Sequence, residues 1–257
     1  MNKFLLVVTI LFILSCGDKK KEADKDSPNT NATEAADALP IQKHISIPID
    51  TFLVRKLSKK EMNTIFDDNR QIQLGISNDV YQVYAYNDKS GVYYLLLTDH
   101  RNGISEEKDT LYDNVYGMSV RVDKNKFKKR STIKGEIDGD WESSIGFWNQ
   151  YSQLFDFDGD GSVDPIIVYG TTTQNNYVDG RIRIIAYHNK SRITIKHQNS
   201  EIPDGRLTKI NKKFYTFPKS IQEAVKETMR AMSKNGHAVF ADDWEKSMEN
   251  KAVRLEN

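Results

Sequence analysis

The sequence predicts an α+β protein: an antiparallel, sheet-rich meander that carries one acidic loop and ends in two helices. Three observations carry this expectation. Short apolar runs with period-two alternation recur from about Ile45 to Ile195, separated by turn residues. After Pro218 the period changes, and Ile221, Val225, Met229 and Met232 follow helical spacing. Between the last strand signals lies Asp156-Phe157-Asp158-Gly159-Asp160-Gly161-Ser162-Val163-Asp164, with acidic residues at alternate positions.

Taken in order, the chain opens with Asn2-Lys3, a brief basic start, and Phe4–Leu14, an eleven-residue apolar run. That run is too short to cross ~30 Å of hydrocarbon as a helix. It has the size of a signal-peptide core, so residues 1–15 are read as a signal peptide. Ile13-Leu14-Ser15-Cys16 resembles the bacterial lipobox, in which the cysteine is acylated and the preceding peptide removed. Small Ser15 before Cys16 and polar Gly17-Asp18 after it fit that pattern better than a chance cysteine behind an ordinary signal. Two or three acyl chains anchor stably where one is marginal. Cys16 is the only cysteine, so its acylation leaves neither free thiol nor disulfide, as suits an oxidising envelope. The expected location is the cell envelope, lipid-anchored at the outer membrane, on its periplasmic face or at the surface.

Residues 16–40 read as the lipidated cysteine and a disordered tether. Lys19-Lys20-Lys21-Glu22 and Asp24-Lys25-Asp26 are charged, and Ser27–Thr33 is polar without periodicity. Such a segment buries too little apolar area to offset its ordering entropy. Its charges resemble the surface-export signals of Bacteroidota lipoproteins, and they equally suit a solvated spacer. Residues 41–257 are expected to form one β-rich domain. Formal net charge is +1, and removing residues 1–15 takes away Lys3 to leave 36 basic against 36 acidic residues. A balanced chain has no electrostatic footprint for nucleic acid, which excludes that partner class.

Within the domain, Phe52 and Val54 open the strand pattern, and Lys59–Phe66 has room for one or two helical turns. Ile72, Leu74 and Ile76 alternate with polar neighbours and read as a strand. Tyr81–Tyr86 and Val92–Leu97 flank Asn87-Asp88-Lys89-Ser90-Gly91, a hairpin signal. Met118, Val120 and Val122 alternate with Ser119 and Arg121, which predicts one wet face. Asp164–Tyr169 is nearly continuous in apolar residues and reads as a central buried strand. Arg181–Ala186 and Arg192–Lys196 form a second hairpin around His188-Asn189-Lys190-Ser191, apolar on one face and basic on the other. At the end, Gly236 closes the first helix, and a second starts at Asp242 or Asp243 with Trp244, Met248 and Leu255 on one stripe.

The acidic stretch is the strongest chemical signal. Calcium is a hard cation that takes about six to eight oxygen ligands. Asp156, Asp158 and Asp160 would supply side-chain oxygens, Ser162 its backbone carbonyl, and Asp164 the closing carboxylate. Gly161 permits the sharp bend. An EF-hand needs a bidentate Glu at the twelfth place, where this chain has Ile167. The loop resembles instead the strand-flanked loops of FG-GAP and integrin-type repeats. Four carboxylates within nine residues repel one another, which favours a structural calcium ion over a bare acidic turn.

Other chemistry is thinner. Glu136, Asp138 and Asp140 fall on one face by alternation, as a second cation site, a carboxylate pair for glycoside hydrolysis, or simple turn residues. Trp141, Phe147, Trp148 and Tyr151 suit a sugar platform or core packing. His44, His100, His188, His197 and His237 show no metal-ligand spacing. Asp99-His100 suits a dispersed triad, although adjacent residues of these types also meet by chance.

Leu154–Gly161, Asp164–Tyr169, Arg181–Tyr187, Ser191–Ile195 and Trp244 together resemble a family of Bacteroidota envelope lipoproteins assigned to surface-polysaccharide (lipopolysaccharide) biosynthesis. The resemblance covers roughly residues 150 to 250, with Thr171-Thr172-Thr173 where many members carry cysteines. It implies a lipid-anchored binding or assembly factor at the cell surface, with envelope polysaccharide or an assembly protein as partner. It brings no catalytic residues. The competing expectation is a hydrolase acting on envelope glycans through the carboxylates near Glu136–Asp140.

Overall fold

The computed structural model describes residues 54–124 and 126–257. Cys16, the signal peptide, the tether, His44 and Phe52 lie outside the described residues. The first sheet has five antiparallel strands in sequence order: β1 (Arg55–Lys56), β2 (Asp79–Asp88), β3 (Gly91–Ile104), β4 (Thr110–Asp123) and β5 (Lys126–Glu136). The second contains β6 (Glu142–Phe147), β7 (Gln153–Phe155), β8 (Asp164–Thr173), β9 (Arg181–His188), β10 (Ser191–Gln198), β11 (Leu207–Ile210) and β12 (Arg254–Leu255). Its order is β12-β11-β10-β9-β8-β6, with β7 also paired to β8. The sheet-rich antiparallel expectation holds, but as two sheets rather than one meander.

Period-two alternation sorts side chains into separate cores. On β3, Tyr94 and Leu96 join Met118 and Val120 under the N-terminal helices, whereas Leu95 and Leu97 join Ile167 and Ile185 between the sheets. On β8, Ile166 and Val168 face a third core with α3 (Lys219–Lys234), while Ile167 points the other way. These strands are covered on both faces, which is why their sequences run apolar without a break. The wet face expected beside Met118 and Val120 is corrected: Ser119 and Arg121 are partly buried, on the side that Val115 gives to the inter-sheet core.

Two helices cover the first sheet. Lys59–Ile65 forms α1 with a full capping box, Ser58 Oγ accepting the Glu61 N–H (3.3 Å) and Glu61 Oε2 the Ser58 N–H (2.8 Å). The Ser58 backbone N–H is the main reason that the Glu61 carboxyl falls to about 2. The strand expected through Ile72, Leu74 and Ile76 is instead α2 (Asp68–Leu74). Asp67 Oδ1 accepts the Arg70 N–H at 2.9 Å, and Gly75 (φ 68°) adopts the left-handed ending. Caps at both ends outweigh three alternating residues: Leu74 is buried, but Ile72 is 73% exposed.

At the C-terminus, Ile221, Val225, Met229 and Met232 of α3 are fully buried against the second sheet, and Gly236 (φ 73°) follows the helix end. The second helix, α4 (Trp244–Glu249), buries Trp244 and Met248. Leu255 does not extend that stripe. It lies on β12, where it pairs with Thr208 of β11. Among the described residues, no helix is long and apolar enough to cross a membrane.

Side chains of the second sheet reach the outer edge of β5. The carbonyls of Thr132, Lys134 and Glu136, at every second residue, accept from Arg192 Nη1 (2.7 Å), Tyr169 Oη (3.2 Å) and Arg181 Nη2 (2.8 Å).

Candidate metal centre

The acidic loop is the connection between β7 and β8. Phe155 pairs with Asp164 and Leu154 with Pro165, so the ladder pins both ends of the loop. Gly159 (φ 73°) and Gly161 (φ 86°) supply the left-handed bends that turn the chain back. The turns aim carboxylates inward, where backbone amides meet them. Asp156 accepts from Asp160 (3.1 Å) and Gly161 (2.8 Å), Asp158 from Asp160 (3.1 Å), and Asp160 from Ser162 (2.7 Å). Carboxylate oxygens of Asp156, Asp158 and Asp160 lie within 4.8 Å of one another, close enough to share one cation.

Asp164 sits differently. It is 1% exposed, and its carboxylate accepts the Phe157 N–H (3.2 Å) and meets His188 Nδ1 at 3.0 Å. His188 Nδ1 is also 3.6 Å from Asp158, so Asp158, Asp164 and His188 form a second group sharing Asp158 with the first. Burial pushes the Asp164 carboxyl up to about 6; the His188 hydrogen bond opposes this and the Asp158 charge adds to it. Of the five residues expected to hold an ion, three aspartates converge directly, Asp164 joins through Asp158, and Ser162 donates its amide to Asp160.

Two partners come from distant sequence. Lys89, in the β2–β3 turn, places Nζ 3.4 Å from Asp160 Oδ1 and contacts the Asp160 carbonyl. The Lys89 N–H donates to the Gly161 carbonyl (2.9 Å), and Asp88 accepts the Val163 N–H (3.2 Å). Burial works against the Asp160 charge, but the Ser162 N–H and hydroxyl and Lys89 hold it below the usual carboxylate range. The loop is therefore a clasp between the sheets, and the chain itself relieves part of the crowding.

The second acidic cluster stays at the surface: Glu136, Asp138 and Asp140 are all exposed. The residue that matters beside them is Glu142, which the alternation pattern passed over. It is 3% exposed and accepts from Thr171 Oγ1 (2.7 Å), the Asp138 N–H (2.6 Å) and Arg181 Nε (2.5 Å). Burial alone would raise its pKa, and the Arg181 and Thr171 bonds reverse that and lower it. The signal for this pair was the charge of Arg181 within an apolar hairpin strand.

The aromatic group does not form a platform. Phe147 faces the inter-sheet core, Trp148 and Tyr151 face the α3 core, and Trp141 is 44% exposed. His100 meets Asp113 (2.9 Å), rather than Asp99, on an exposed patch. His197 is 1% exposed between Thr208 Oγ1 (2.8 Å) and Asn199 Oδ1 (3.3 Å). Comparison with protein-family models, with curated proteins and with solved structures finds no match for this chain.

Proposed function

We propose that this protein is a lipid-anchored binding or assembly factor of the cell envelope, held to the outer membrane through Cys16 and locked in shape by one calcium ion. The observation that supports the ion is the convergence of Asp156, Asp158 and Asp160 within a loop that also grips the β2–β3 turn. In this reading the three aspartates bind directly, the Ser162 carbonyl adds an oxygen, and Asp164 closes the shell. Calcium would supply the charge that lets these carboxylates stay ionised together. Affinity is modest, because no bidentate Glu completes the loop and Lys89 competes for Asp160; extracellular sites work at ~10⁻⁴ to 10⁻³ M. Surface polysaccharide or a protein that assembles it is the proposed partner, on the resemblance given above.

A thermal melt tests the ion. Calcium at ~100 times its dissociation constant is expected to add about 2.7 kcal/mol, since it binds only the folded form. Asp158→Ala should remove most of that gain, whereas Asp204→Ala, exposed and outside the loop, should keep it. An unchanged midpoint with no metal by elemental analysis overturns the site. The anchor has its own test: Cys16→Ser should leave the detergent phase after phase separation. Continued fractionation with lipid would refute the lipobox reading.

A further inference from the structure

Apart from the acidic loop, the described residues form a groove of about 770 Å³ where β4 and β5 meet β8 and β9. That volume is in the range of sites for small organic ligands, roughly 300–1,000 Å³, and is large for a lone ion. Its lining carries four cationic side chains, Lys129, Lys134, Arg181 and Arg183, against one acidic residue, Glu136. These cations are not equivalent. Glu142 holds the Arg181 charge, and Lys134 Nζ lies 5.8 Å from the centre of the Tyr116 ring. Arg183 is half-buried and has no carboxylate within ion-pair distance among the described residues.

One nitrogen of Arg183 donates to the carbonyls of Ile182 (3.0 Å) and His197 (3.4 Å). Its other N–H groups bond no described residue, although a guanidinium offers five donors in a planar fork. Burial, with Arg181 alongside, lowers its pKa, so the protein holds this charge at a cost. The lining also holds Asn78, Asn114 and Ser77, which match hydroxyls, beside apolar Val115 and Ile145 and the rings of Tyr116 and Tyr169, which suit the faces of a sugar.

We propose that this groove binds a small hydroxylated anion, of the class of sugar acids and sugar phosphates, with its carboxylate or phosphate on Arg183. A forked guanidinium meets either oxyanion through two parallel hydrogen bonds, and Lys134 and Lys129 supply the long-range attraction. The site adds a ligand to the binding role proposed above without depending on calcium. The melt can therefore fail while this site stands, and the reverse.

Titration of the full chain with glucuronate, glucose 6-phosphate, inorganic phosphate and glucose, followed calorimetrically at low salt, tests it. At least one of the two charged sugars should bind saturably at millimolar concentration, and which one does tells carboxylate from phosphate. Glucose should not bind. Arg183→Gln should weaken the interaction on the order of tenfold or more, as loss of a charge-assisted hydrogen bond does. Should that variant fail to fold, Lys134→Gln must still weaken binding and flatten its salt dependence. Equal binding of glucose, or no saturation by either charged sugar, overturns the proposal. Inorganic phosphate binding as tightly as glucose 6-phosphate also overturns it, by reducing the site to a bare anion contact.

Discussion

Glu142→Ala is expected to cost about 3–5 kcal/mol of folding stability, the penalty for removing one partner of a buried ion pair. The substitution leaves the Arg181 guanidinium with only the exposed Asp138 carboxylate, 3.8 Å away, and the Thr171 hydroxyl and Asp138 N–H without their acceptor. Four elements feel it. Glu142 begins β6, Arg181 begins β9, Thr171 lies on β8, and Arg181 also holds the Glu136 carbonyl of β5. A domain is stable by only about 5–15 kcal/mol, so roughly a fifth or more of the total is at stake. Glu142→Gln keeps the shape and two acceptor contacts and should cost less. Replacing both partners, as in Glu142→Leu with Arg181→Met, should recover part of the loss, because the uncompensated charge is gone. Urea unfolding measures this directly as a lower midpoint at constant slope. A shift for Glu142→Ala worth less than about 1 kcal/mol would show the pair to be as weak as a surface bridge.

Acid should unfold the protein partly through one side chain. Burial holds the His197 imidazole down at about 4, with Asn199 opposing through its hydrogen bond. In the unfolded chain the same ring titrates near its ordinary value of about 6.5. Between these values the unfolded state binds a proton that the folded state refuses, so stability rises with pH there and falls on acidification. The loss begins near pH 6.5, is complete below about pH 4, and amounts to about 3 kcal/mol at ~1.4 kcal/mol per unit. Asp99 acts in the opposite sense. Burial, together with Asp79 directly across the ladder, raises its carboxyl to about 6. Its contribution is therefore fully present only below the ordinary carboxylate value of about 3.9 and is lost as pH rises from there through about 6. Comparing the wild type with His197→Gln over pH 7 to 4 isolates the histidine. The wild type should lose about 3 kcal/mol more than the variant, and parallel curves would falsify the assignment.

What the sequence disclosed was local. Tyr81–Tyr86 and Val92–Leu97 announce a hairpin because alternation and turn residues lie side by side, and the ladder from Val83↔Leu96 to Asp88↔Gly91 follows. The same holds for Ile221, Val225, Met229 and Met232, whose spacing is the helix period. The acidic loop was legible because its aspartates fall within nine residues. Lys89 and His188, which contact its aspartates, come from the turn of another sheet and the end of another strand. Nothing in one-dimensional spacing links them. Asp67 and Gly75 stand at the two ends of α2, and these caps, rather than the alternation of Ile72, Leu74 and Ile76, decide the seven-residue helix. Splitting one meander into two sheets depends on which strands have two apolar neighbours, a property of packing.

The side chains along β5 bear on how copies of this protein tolerate one another. An edge strand offers a row of unpaired carbonyls and amides on which a strand of a second molecule can grow a shared sheet. Here Arg192, Tyr169 and Arg181 occupy three successive outward carbonyls of the long edge. At the opposite end of that sheet the described part of β1 pairs two residues with β2, as β12 does with β11 at one end of the other sheet. Among the described residues, Arg192, Tyr169 and Arg181 leave β5 with fewer free carbonyls on which a strand of a second copy could add, so sheet extension between copies is disfavoured along this edge.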